Sequence, residues 1–432
     1  SGATLRSSAN ALFGSDGTQE KPITVNTGGI LLADGGASGD VGVGTVTLAG
    51  GTLSSTAAST AYGTWRFDDA TDKLSATQDS TVSASNVKFG NAAATIDVAS
   101  GKTLNFTGTI TDATSGGISY LTKTGAGTLA LVGINAFTGA TAINAGTVKL
   151  SGSLAAGSTV TVAGGATLSG TGTVNGTLNF FANAVHAPGN PTGAQTLVGA
   201  VSYASTSHLK WALSTNSVAT NLSSRVSART VAIAAGSVID LVLNGAGTTV
   251  DFTNSFWKQS QTWTVMSGTS ISGSFALGTV SVDSGSRVAS NYGVFALQQS
   301  ATAVLLTFTP SYENWQRTNF GASWNDPAIA GDTVDGDKDG LSNLLEYAMG
   351  TNPNASSQST LQSAVSGGYE TLYVDKNTAA TNISWDAEVT GDLQTWQPAV
   401  IIANTGTVFQ ARDSVLTSDA TKRFIRLKLS RP

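Results

Sequence analysis

The chain of 432 residues has no cysteine at all. That excludes disulfides, thiol catalysis and cysteine metal sites. Charged residues make up only 11% of it and histidine occurs twice, at His186 and His208. Neither histidine has neighbours spaced for a metal site. The net charge of -5 gives no basic face for nucleic acid, so no nucleic-acid partner is expected. No apolar run reaches the length of a membrane-spanning helix, so no membrane span is expected. No G-x-S-x-G elbow and no phosphate-binding loop occurs. The candidate acids Asp97, Asp112, Asp240, Asp251 and Asp283 stand singly in or beside strands. With no constellation that meets the criteria for an active site, no enzyme is expected.

What the chain does have is glycine, 50 residues of it, with 40% hydrophobic residues in short alternating runs. ITV, GILLA, GTVTLAGGTL, ATIDVAS and KTLNFTG are such runs, separated by Gly and Asn/Asp turns. Period-two alternation is the half-buried strand pattern. In LTKTGAGTLALVGINAFTGATAINAGTVKLSG, Leu121 to Gly152, the pattern repeats. The Thr-Leu of GTLAL, the Thr-Val of GTVKL and the Thr-Leu of ATLSG fall about 19 and 20 residues apart, a spacing that marks stacked repeats. One such unit cannot bury its apolar side alone and must stack on a neighbour.

This stretch resembles the passenger-associated repeat of bacterial autotransporter proteins. Lys123, Gly125, Gly127, Thr128, Leu129, Leu131, Gly133, Asn135, Phe137, Thr138, Gly139, Thr141 and Gly146 carry the likeness. It implies a right-handed parallel β-helix on a bacterial outer surface. No C-terminal membrane barrel of the autotransporter kind is seen, so self-export is not implied. No leader is visible either; Ser1-Gly2-Ala3 reads as a mature end left by cleavage.

Four regions are expected: a cap or docking segment at 1–22, a β-solenoid at 23–309, a linker with a calcium loop and short helix at 310–355, and a small β-sandwich at 356–432. The fold class is all-β, a parallel β-helix followed by the loop-helix linker and the sandwich. From 153 onward the apolar runs are denser and aromatics more frequent, which predicts wider rungs or hairpin insertions. At about 20 residues and about 4.8 Å per rung, the solenoid is expected to be about 70 Å long. SYENWQRTNFGASWNDPAIAG, with Trp315, Phe320 and Trp324, reads as a linker containing a short helix.

DGDKDGLSNLLE, Asp335 to Glu346, matches the calcium loop D-x-[DN]-x-[DN]-G-x5-E. Asp335, Asp337 and Asp339 supply carboxylates, Leu341 its backbone carbonyl, Asn343 the ninth position and Glu346 a bidentate carboxylate; Gly340 permits the turn. Calcium, a hard cation, takes such oxygen sets. LSNLLEYAMG reads as the exiting helix, and Pro327 and Gly331 argue against an entering one. The result is half an EF-hand, similar to dockerin-like and thrombospondin-type-3-like loops, with a bracing role. Asn314 to Pro353, with its W and FG-x-x-W residues and DGDKDGLSNLLEYAMGTNP, resembles a C-terminal region of secreted proteins of Verrucomicrobia-type bacteria. That implies export and no particular reaction.

Three aromatic sites admit two readings each. Trp65 with Asp68, Asp69 and Asp72 is a packed turn or a sugar-binding or hydrolytic patch. Trp385 and Trp396 pack the sandwich core or offer a sugar platform. Lys422, Arg423, Arg426, Lys428 and Arg431 form a basic edge that guards against strand pairing or meets an acidic partner. The function expected is a non-enzymatic, extracellular structural protein of the bacterial surface. It is expected to self-assemble into a fibre by end-to-end strand pairing as a homopolymer, braced by calcium. A monomeric adhesin gripping a glycan or host surface is the first alternative, and a polysaccharide-active β-helix enzyme the second.

Overall fold

The computed structural model describes residues 2–7, 21–34, 40–56, 65–112, 117–189, 191–243, 249–281, 292–380 and 383–431. Most of the expected cap at 1–22 lies outside them, namely Ser1 and 8–20, as does Asp283. The described residues sort by contact into two units, which are taken separately. The first is Ser1–Val250, Thr262–Asp283 and Ala296–Leu306; the second is Asp251–Gln261, Ser284–Phe295 and Thr307–Pro432.

The first unit is a parallel β-helix with three faces. One face is a sheet of 12 strands and the next a sheet of 11, each taking every third strand in chain order apart from the first step of the larger one. The third face is in two pieces, one of them the four strands Val41–Gly42, Trp65–Phe67, Asn86–Phe89 and Thr109–Ile110. The other piece starts at Ile134–Asn135. The register follows the repeat: Thr128 pairs with Thr147 and Thr147 with Thr167. Alternation then sorts the side chains. Leu104, Leu129, Val148 and Leu168 stack inward in one column, all fully buried, while the threonines before them face out.

Glycine sets the corners. Gly125, Gly146 and Gly165 occupy one corner of successive rungs with φ of 71°, 66° and 80°, where a Cβ would strain the chain. At the next corner Gly133, Gly152 and Gly172 each lie against the rung before. A Cβ at each would fall on the carbonyl oxygen of Gly108, Gly133 and Gly152 in turn. The corner therefore accepts only glycine, and the column explains why the residue recurs.

Rungs widen toward the C-terminal side, as the changed texture implies. Leu213 and Ser223 form an antiparallel bridge within an insertion. Val238–Val242 pairs with Ala276–Ser281 across a long intervening segment and a register shift. These insertions use chain without adding rungs. With 12 strands in its longest sheet, the stack is about 55 Å long at about 4.8 Å per step, shorter than the expected 70 Å.

The second unit holds helix α1 (Tyr312–Phe320), helix α2 (Asn343–Met349) and two antiparallel sheets of four and three strands. Ser311 caps α1 by accepting a hydrogen bond from the Asn314 backbone N–H at 3.1 Å. Gly350 ends α2 in the left-handed region, φ 80°. Tyr312 and Trp315 of α1 pack on Tyr347 of α2, with ring centroids 4.8 and 5.6 Å apart. Leu341 and Met349 join Leu372, Val374, Ala387, Phe409 and Ala411 in one buried cluster, so the loop-helix segment and the sandwich share a core. No helix among the described residues is long and apolar enough to cross a membrane.

Candidate metal centre

The loop from Asp335 to Glu346 folds around its own acids. Asp335 takes three backbone N–H groups: Lys338 and Asp339 donate to Oδ1 at 2.8 and 3.2 Å, and Gly340 to Oδ2 at 2.9 Å. Asp339 Oδ1 accepts from Leu341 N–H at 2.9 Å, and its Oδ2 from Ser357 N–H at 2.7 Å. Lys338 and Gly340 both adopt positive φ, 65° and 93°, which turns the loop tightly. One oxygen from each of Asp335, Asp337 and Asp339 lies within 4.8 Å of the others.

Glu346, on α2, is close enough to feel the charge of these acids. It is fully buried. Burial, then the charges of Asp337 and Asp339 and more weakly Asp335, push its carboxyl up to about 7. Among the described residues, Glu346 Oε2 and Asp337 Oδ2 are buried without a hydrogen-bond donor. Three gathered carboxylates with the charge of Glu346 coupled to them, and with an unsatisfied oxygen on Asp337 and on Glu346, repel one another unless a cation lies between. A donor set of this kind, oxygen only and strongly negative, fits a hard divalent ion.

The other two expected ligands are placed differently from each other. Leu341 is anchored in the sandwich core through its side chain, which leaves its backbone at the loop. Asn343 is buried, and its Nδ2 donates to the carbonyls of Ile329 and Gly331 at 3.0 and 2.9 Å. Its amide thereby ties the preceding turns to the start of α2. The guanidinium of Arg431 clamps Asp332, just before the loop, at 2.9 to 3.1 Å.

The repeat unit is built for cohesion. Asn135, in the interior, bridges three rungs: its Oδ1 accepts from Ile110 N–H at 3.0 Å, and its Nδ2 donates to Gly133 O and Ser153 O at 3.0 and 3.1 Å. Lys123 is fully buried and donates to the carbonyls of Thr124, Gly125 and Ala145 at 2.6, 2.7 and 3.2 Å. Burial pushes its ammonium down to about 8, against the pull of Asp97. Thr138 is held through its N–H and hydroxyl by Asp112. The polar residues of the repeat thus satisfy backbone groups at corners.

The scattered acids are likewise engaged one by one. Asp97 meets Lys73 and the Thr124 hydroxyl, Asp240 meets His208 and Thr279, and Asp251 holds Thr253. Trp65 is fully buried, with its Nε1–H donated to Ser54 O at 2.7 Å, so the packed reading holds there. Asp68 pairs with Arg66, and buried Asp72 accepts from Asp69 N–H. In the sandwich, Trp385 packs against the core, whereas Trp396 is half-buried under the guanidinium of Arg426, 3.8 Å from its ring centre. The C-terminal cations find partners inside the chain: Arg423 with Asp413, Arg426 and Lys428 with Glu388, Arg431 with Asp332. The sequence alone does not foretell these pairs, because each depends on how separate segments of the chain are brought together, 10 positions apart for Arg423–Asp413 and 99 for Arg431–Asp332.

No curated protein matches this chain. Residues 121–150 match the model of the passenger-associated-transport-repeat family. The stretch is similar to the repeat of autotransporter passenger segments and points to a secreted or surface-exposed protein.

Proposed function

We propose that the protein is a non-enzymatic structural subunit of the bacterial surface that assembles end to end into filaments and is braced by calcium. The observation that carries this reading is the N-terminal end of the solenoid. Thr4–Ser7 and Ile23–Asn26 are the terminal strands of the two long sheets among the described residues. They line a trough of about 440 Å³ together with Thr27, Gly29, Ile30 and Leu31. A terminal strand carries a row of backbone donors and acceptors that another copy can complete. Contacts of that head-to-tail kind give open filaments when they do not close.

Calcium belongs to the reading as a permanent brace. The loop, α2 and the sandwich share a core, so an ion held by Asp335, Asp337, Asp339 and Glu346, with the Leu341 carbonyl, would tie them together. Extracellular calcium modules bind at roughly 10⁻⁴ to 10⁻³ M, which suits continuous occupancy outside the cell. Among the described residues the half EF-hand has no opposed second acidic loop to switch.

Negative-stain microscopy of the native protein is the test. Filaments are expected, and deletion of residues 1–22 is expected to abolish them while the circular dichroism of the solenoid persists. Monodisperse single particles at high concentration would overturn the assembly, and filaments formed normally by the deletion variant would overturn its N-terminal route.

A further inference from the structure

Lys88 and Asp40 make a contact hidden from solvent. The Lys88 side chain is fully buried and that of Asp40 is 5% exposed. The ammonium nitrogen lies 3.0 Å from Asp40 Oδ1 and 3.0 Å from Oδ2. Equal approach to both oxygens puts Nζ within about 3.4 Å of the carboxyl carbon, the separation at which held groups react. The pair belongs to the third face of the solenoid. Lys88 stands in register with Arg66, and Arg66 with Gly42, two positions after Asp40. On the opposite, inward face of the same strands Phe67 and Phe89 stack at 4.9 Å and Trp65 is fully buried, which holds those strands rigid.

We propose that Lys88 and Asp40 are joined by an isopeptide bond that the folded chain forms by itself. In a dry site a charged pair is costly, and moving one proton from the ammonium to the carboxylate leaves a neutral amine and a neutral acid. The amine lone pair attacks Asp40 Cγ and the N–C bond forms. The second amine proton passes to the hydroxyl of the tetrahedral carbon. The C–O bond breaks and that oxygen leaves as water. One amide hydrogen remains on nitrogen, and no oxidant or other reactant is consumed. The bond would close a loop spanning 48 positions in a chain that has no cysteine to do so.

Intact mass spectrometry of the full chain under denaturing conditions reads the result. A mass short by one water is expected, with a branched tryptic peptide that joins the segment holding Asp40 to the segment holding Lys88. Lys88→Arg keeps the charge and is expected to restore the full mass. A parent chain of full mass, cut by trypsin after Lys88, overturns the proposal whether or not the variant folds.

Discussion

Asn135 and His186 show what single interior polar residues do in this solenoid. Asn135 serves three rungs with one amide. Asn135→Ala leaves Ile110 N–H and two carbonyls without that partner, and a loss of about 2–3 kcal/mol is expected from urea unfolding. Asn135→Asp should cost at least as much, because a carboxylate cannot donate to Gly133 O and Ser153 O. His186 is fully buried between Phe180 and Tyr203, hydrogen-bonded at 2.6 Å to the Tyr203 hydroxyl and at 2.6 Å to Gln195 Oε1. Burial lowers its pKa from 6.5 to about 4. The folded chain keeps it neutral while the unfolded chain takes a proton, so its contribution is complete above about pH 6.5 and is lost as pH falls to about 4. The loss amounts to about 3 kcal/mol at most. His186→Gln should flatten the acid side of the stability profile over that window; an unchanged slope would show that other groups set it.

At the scale of elements, the loop and α2 act as one piece with the sandwich. Chelation is expected to lower the melting temperature of the second unit and leave the transition of the solenoid in place. Calcium at 100 times its dissociation constant should stabilise that unit by about 2.7 kcal/mol. Asp337→Asn gives a sharper check, because two effects have opposite signs. In chelator it relieves repulsion against Glu346 and should raise stability, while in calcium it should lose most of the metal-dependent gain. A variant that responds to calcium like the parent would remove Asp337 from the site. The loop was legible because its chemistry is local: twelve consecutive residues hold every expected donor. The inward columns were legible too, since alternation needs only neighbours in sequence. The reach of Arg431 to Asp332 was not, because a cross-chain clamp depends on where the last strand of the sandwich lands. Lys123 likewise looks like a solvated cation in sequence, and only the fold puts three carbonyls around it.

For the molecule as a whole, few charges and the proposed assembly through strand edges belong together. With 11% charged residues, assembly through backbone pairing should respond weakly to ionic strength, since screening acts on charges and not on strand ladders. Filament yield by sedimentation should therefore change little between dilute and concentrated salt, whereas steep dissolution would assign the contact to ion pairs. The length of the solenoid was overread from the sequence because the best repeat unit was taken as typical. The insertions after Ser207 lengthen rungs without adding them, and nothing in a local pattern distinguishes chain that stacks from chain that loops out.

The bridging amide of Asn135 also bears on how the stack is built in time. Each rung pairs with the next, only some twenty residues on, so order can begin at one unit and spread rung by rung along the chain. Asn135 ties its own rung to the preceding one through Gly133 O and Ile110 N–H, and completes its set only when Ser153 of the following turn arrives. That makes it a pawl: the growing stack can add a rung but slips back less readily.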